Sequence, residues 1–198
     1  MSGTLQLGGT NLAVHSGSGA SAKITLDSGL SFPTGHIIQV IYNQKTDREA
    51  LSTSTGYTSI PGTDQDGAGS IFAAHITPTA TSSKILVQVN WGGAGGNYMY
   101  NTRLYRDSTE IGSGDIIGNR TGAWMQTGDK AGYTNLEFKN NSNSYLDSPN
   151  STSKLVYSLK VWDSRDSGLV YINRMQYDND AAEIVTSTSS IVLMEIAG

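Results

Sequence analysis

Three histidines, three acidic stretches and one glycine run are where this sequence could do chemistry. His15, His36 and His75 sit in a Gly/Ser stretch, at a strand start and inside an apolar strand. None lies at metal-ligand spacing from another, there is no H-E-x-x-H, and no G-x-S-x-G elbow presents a nucleophile. Nothing along the chain sets a base beside a nucleophile, so all three read as structural or surface histidines. The stretch DQDG (64–67) begins like a calcium loop with Asp64 and Asp66, but the further oxygen ligands and the closing bidentate Glu do not follow. YDNDAAE (177–183) offers Asp178, Asp180 and Glu183 to a hard cation if the chain folds round it. Surface turn acids are the plainer reading of both loops, and the sequence assigns no metal and no cofactor. The charged stretch YRDSTEIGSGD (105–115) reads as a hairpin, with Asp107 and Ser108 in turn roles and Glu110 facing outward. GGAGG (92–96) has neither dinucleotide nor phosphate-loop spacing and precedes no helix, so a wide hairpin loop is expected there.

These residues need a scaffold, and composition limits which kind. At 198 residues the chain is long enough for one good core. A net charge of −4, with Lys and Arg scattered, argues against nucleic acid and against a charged membrane-binding face. The absence of cysteine removes disulfides, thiolate nucleophiles and thiolate zinc sites. No basic n-region followed by an apolar h-region opens the chain, and its apolar runs are short, so a soluble protein not exported by the usual route is expected.

Gly, Ser, Thr and Asn are abundant, and apolar residues alternate or come in short runs between turn signals, which is an all-β pattern. The clearest strands are HIIQVIYNQK (36–45), KILVQVNW (84–91), NYMYNTRLYRD (97–107), KLVYSLKVWD (154–163), GLVYINRM (168–175) and SSIVLMEIA (189–197). The spacing suits a sandwich or jelly roll. Only DNDAAEI (178–184) suggests a helix, and a short one. Residues 1–34 differ, with Gly8-Gly9 and SGSGASA (16–22) separating two extended pieces, TLQL (4–7) and KITLDSGLSF (23–32). A monomer rarely orders such a Gly-rich leader, so a partner chain or neighbouring subunit is expected to hold it. Its apolar and β-prone residues Thr4, Leu5, Leu7, Leu12, Val14, Ile24 and Leu26 are the candidate anchor. Residues 35–198 form the main domain. Aromatics and methionines near the loops (Trp91, Tyr98, Tyr100, Trp124, Met125) either pack in the core or make a receptor or subunit contact.

The segments SSKILVQVNW (82–91), RLYRDSTEIGSGD (103–115), YLDSPNSTSKLVYSLKVWDS (145–164), VYINR (170–174) and SSIVLMEIAG (189–198), with IIQVIYNQKTD (37–47), carry a likeness. They resemble the jelly-roll domains of virion structural and tail-fibre proteins of marine tailed phages, of the cyanophage and pelagiphage type. The resemblance covers most of residues 35–198 and leaves the leader out. It implies an antiparallel jelly-roll β-sandwich of the complement and tumour-necrosis-factor kind, assembled as a homotrimer with apolar and aromatic residues at the axis. It also implies fold-specifying roles for Arg106, Asp107, Leu146, Asp147, Pro149, Asn173 and Arg174, and no catalytic residues.

Three functions follow as expectations. The first is a virion structural protein, made in the host cytoplasm, whose arm binds other capsid or tail proteins while the trimer decorates the capsid or forms a short fibre. The second is a tail-fibre tip that binds a host-surface glycan or protein through loops 92–97 and 118–132. An enzyme such as a glycan depolymerase needs a pair of carboxylates that nothing here singles out, so a non-enzyme is expected.

Overall fold

Period-two alternation decides how the longest strands lie. In β15 (Ser189–Ile196) the side chains of Ile191, Leu193 and Glu195 face inward, while Val192, Met194 and Ile196 face out. β8 (Lys84–Gly95) and β13 (Leu155–Asp163) alternate in the same way. This computed structural model describes residues 3–7, 10–16, 23–26, 33–95, 99–128, 138–163, 168–182 and 184–198. The chain divides into two compact units, Met1–His36 and Ile37–Gly198.

In the first unit, β1 (Gly3–Leu7), β2 (Thr10–Ser16) and β3 (Lys23–Leu26) form an antiparallel sheet in the order β1-β2-β3. Thr4 pairs with Val14, Leu5 with Ala13, and Ala13 with Leu26. The sequence suggested two extended pieces with His15 in a loop between them. Instead, the stretch around Leu12 and Val14 is itself a strand, and its partners satisfy its backbone groups on both sides.

The second unit adds β4 (Ile37–Lys45), β5 (Glu49–Ser52), β6 (Thr58–Ser59), β7 (Ala73–Ile76), β9 (Met99–Arg106), β10 (Thr109–Ile111), β11 (Met125–Gly128), β12 (Lys139–Asp147) and β14 (Leu169–Ile172). One sheet runs β4-β15-β8-β12, with β14 also on β8 and β5 on β14. The other sets β9 beside β13, with β6 and β7 along the far side of β13 and β10 and β11 along the far side of β9. All of these pairings are antiparallel. One core joins the inner faces: Ile85, Val87, Val89, Trp91, Ile191 and Leu193 from the first sheet meet Ile76, Leu104, Tyr157, Leu159 and Val161 from the second. Burying each such aliphatic side chain contributes roughly 1.5–3 kcal/mol, so this layer holds the sandwich together. The result is an all-β sandwich with no helix among the described residues, including 178–182, where a short one was expected.

The GGAGG run corrects another expectation, because Gly92, Gly93, Ala94 and Gly95 continue β8. A Cβ on Gly92 would collide with Phe138 and Ser187, and one on Gly93 with the Tyr171 carbonyl oxygen and the Trp91 ring. Gly93 is flanked by Lys139 on one side and Ile172 on the other, so three backbones meet where only hydrogen fits.

Asn173 closes the end of β14. It lies fully buried at φ 58°, a left-handed conformation that Asn tolerates better than most residues. Its amide donates to the carbonyl oxygens of Lys45 and Asp47, both at 3.0 Å, and accepts from Ser189 Oγ at 2.6 Å. Asn173→Gly keeps the backbone conformation at no steric cost and deletes only the amide. It is expected to cost about 2 kcal/mol through three stranded partners, two of them buried, read as a lower urea midpoint with unchanged m-value.

Candidate functional site

Among the described residues of Ile37–Gly198, two side-chain clusters and two sheet faces offer chemistry or contact. The first cluster is built by the excursion between Ile60 and Phe72. Phe72 N–H donates to the Ile60 carbonyl oxygen at 2.8 Å, and Pro61 bridges Ile71, so the two arms leave the sheet as a hairpin. Asn43 holds both arms, donating to the carbonyl oxygens of Thr63 and Ala73 at 2.7 Å each. Gln65 then lies along β7: its amide donates to the His75 carbonyl oxygen at 2.9 Å and accepts the His75 N–H at 3.0 Å. At the tip, Asp64 Oδ1 accepts the N–H groups of Asp66 and Ala68 at 3.0 and 2.9 Å. Those backbone donors, the Ala68 one foremost, hold the Asp64 carboxyl below the usual aspartate range.

This scaffold brings His75 to the two acids. His75 Nε2 lies 2.8 Å from Asp66 Oδ2 and 3.6 Å from Asp64 Oδ2. One ligand atom from each of the three lies within 4.8 Å of the others. The sequence flagged Asp64 and Asp66 but gave His75 no part. Only Gln65 docking on the β7 edge turns a separation along the chain into contact, and no motif signals that.

The second cluster answers the expectation at 177–183. Asp178 does not stand open to a cation, because Arg48 Nη1 reaches its Oδ1 at 2.8 Å and Arg174 Nη1 its Oδ2 at 3.0 Å. Asp180 is exposed beside them, lining with Arg48, Asp178 and Asn179 a shallow cleft of about 330 Å³. Glu183 lies outside the described residues. Two guanidiniums on Asp178 leave a hard cation little to gain, so this acid works as an ion-pair hub.

Of the two readings open for the loop aromatics, core packing and a receptor or subunit contact, the described ones follow the first. Trp91, Tyr100 and Trp124 are buried in the core, and Met125 packs half-buried against it. Trp91 and Tyr100 rings meet at 5.1 Å, and Tyr100 OH donates to the Gly93 carbonyl oxygen at 3.2 Å while accepting from Asn141 Nδ2 at 3.0 Å. Alternation places them inward on β8 and β9, where an aromatic ring fills the space between sheets better than any loop. Tyr98 lies outside the described residues. Of the arm residues, Thr4 is exposed and Val14 half-buried.

The outer sheet faces differ. On the β9–β13 sheet, Arg103 stacks 4.0 Å from the centre of the Tyr57 ring, and Lys160 lies 4.2 Å from that of Tyr105. Trp162 meets Tyr57 at 5.4 Å. On the β4-β15-β8-β12 sheet, register sets Val40, Met194, Leu86 and Leu146 side by side across all four strands. The next outward row holds Tyr42 and Val192. Val40 is 55% exposed, Tyr42 54% and Leu146 48%. Leu146, expected to specify the fold, therefore points away from the core.

No family model matches this sequence, and no curated protein does. Among solved structures, the chain is similar to one described as "Structure of infectious bursal disease virus Gx strain", at 13% identity and a TM-score of 0.40. That likeness covers 89% of this chain and 42% of the other, so this chain spans less than half of its length. At that TM-score it carries no argument, and the class defined here is an all-β sandwich of two antiparallel sheets.

Proposed function

We propose that this chain is a non-enzymatic structural protein of a phage virion, a homotrimeric jelly roll whose first unit binds other capsid or tail proteins. It would decorate the capsid or form a short fibre. The observation that carries the reading is the outward apolar row Val40–Met194–Leu86–Leu146, with Tyr42 and Val192 beside it. A continuous apolar band across one sheet is costly to leave in water, and three copies that turn it toward a common axis bury it together. The jelly-roll assignment is supported by strand order: β4-β15-β8-β12 opposite β7-β13-β9-β11 is the order two interleaved Greek keys produce. The non-enzymatic reading is supported by two buried carboxylates, Asp147 and Glu195, whose oxygens are taken up by hydrogen bonds within the fold. The second reading, a fibre tip that binds host glycan, draws on Trp162 and Tyr105, which stand half-buried beside Arg103 and Lys160 on the opposite outer face.

Light scattering on the full chain is expected to give a trimer, and Met194→Glu a monomer with an unchanged far-UV spectrum. The substitution sets a charge in the middle of the apolar row and leaves the core alone. A wild-type monomer at tens of micromolar would overturn the assembly.

A further inference from the structure

We propose that Asp64, Asp66 and His75 form a binding site for a divalent transition-metal cation of the zinc class, stapling the 61–71 excursion to β7. The set is not a cluster of acids alone: an imidazole nitrogen stands against two carboxylates, and the donors come from separate elements held in register by Gln65 and Asn43. Metal–ligand bonds of about 2.1 Å put neighbouring donors about 3.0 Å apart in an octahedral shell and about 3.4 Å in a tetrahedral one. The two observed nitrogen-to-oxygen separations, 2.8 and 3.6 Å, bracket those edges, and all three donors lie within 4.8 Å of one another, so a cation enters by drawing the carboxylate oxygens in around the imidazole nitrogen. Asp64 offers Oδ2, since its Oδ1 is committed to the loop backbone. Asp66 is free to adjust, its side chain being 64% exposed, whereas those of Asp64 and His75 are 19% and 16% exposed.

The donor set chooses the metal. Calcium takes six to eight oxygens, and a site with one imidazole and two carboxylates supplies too few of them. Imidazole nitrogen favours zinc, nickel or cobalt over magnesium or calcium, and three protein ligands leave one or more positions for water.

Calorimetric titration of the full chain with zinc chloride is expected to show one site per chain. Cobalt(II) is expected to give a visible d–d band that zinc abolishes. His75→Ala and Asp66→Asn should each weaken zinc binding by at least about tenfold, the minimum seen when a metal's supporting groups are removed. His15→Gln and His36→Gln should leave it unchanged. Asp66→Asn touches an exposed side chain and serves if His75→Ala does not fold. Full binding by either ligand variant, no zinc binding by the wild type at about a hundred micromolar, or calcium binding as tight as zinc would each overturn the site.

Discussion

Glu195→Ala is expected to lower folding stability by about 4 kcal/mol, the sum of several buried donors left without an acceptor. Glu195 is fully buried at an inward position of β15, in line with Ile191 and Leu193. Its Oε1 accepts Thr79 N–H, Thr79 Oγ1 and Ser83 Oγ, each at 2.7 Å, and its Oε2 accepts Gln39 Nε2 at 2.6 Å. The carboxylate thus ties the turn before β8 to β15 and β4. Burial pushes the carboxyl up, but the hydrogen bonds from Gln39, Ser83 and Thr79 outweigh it and hold the group below the usual glutamate range. A folded-state value below the unfolded one contributes stability that is fully present above about pH 4.3, the ordinary glutamate value. That contribution is lost as pH falls from there through the folded value. Glu195→Gln keeps the shape and one acceptor oxygen, so it should cost less, about 1–2 kcal/mol near neutrality. The gap between wild type and Glu195→Gln should then narrow below about pH 4. The measurement is the urea midpoint followed by tryptophan fluorescence, at one protein concentration. Parallel midpoints at every pH would refute the carboxylate's role.

The second large effect belongs to Asp147→Ala, expected to cost about 4 kcal/mol because a partly buried cation loses its counter-charge. Arg106 Nη1 lies 2.8 and 2.7 Å from the two Asp147 oxygens, and Tyr157 OH donates to Oδ2 at 2.7 Å. Arg106 and Tyr157 belong to one sheet and Asp147 to the other, so the triad fastens the two layers at one end of the core. Burial, and then the Asp147 carboxylate, raise the Tyr157 hydroxyl far above its ordinary range, which keeps it a donor near neutrality. Removing both charges at once should cost less than removing one. Arg106→Met combined with Asp147→Leu is expected to recover about half the loss, since apolar groups of similar volume need no partner. Chemical denaturation of both variants measures this; a double variant no better than Asp147→Ala would show that packing, not charge, makes the site.

Much of this was legible along the chain. SSIVLMEIA reads as a strand from its apolar run, and period-two alternation along it sets Glu195 on the same face as Ile191 and Leu193, which the structure shows to be the core face. The hairpin at Asp107-Ser108 was legible too: Thr109 pairs with Arg106, and Asp107 takes φ 53°, which a short polar residue tolerates. Turn chemistry and period-two patterning are local, so they survive without knowledge of the fold. The glycine run misled because an open loop and a close approach of three backbones have the same composition. Trp91, Tyr100 and Trp124 stayed open for a similar reason, since an aromatic at a strand end suits a core as well as a surface.

By itself the sequence determined an all-β chain and the strands that alternate. Tertiary structure alone decided which faces meet. Register across four strands joined Val40, Met194, Leu86 and Leu146 into one band, although they come from four separate strands. It also decided that Arg106 should find Asp147, that Thr79 and Ser83 should find Glu195, and that His75 should find Asp64 and Asp66. Contacts of this kind depend on strand order and on the path of a loop. Those are set by the free energy of the whole core, which no local spacing encodes.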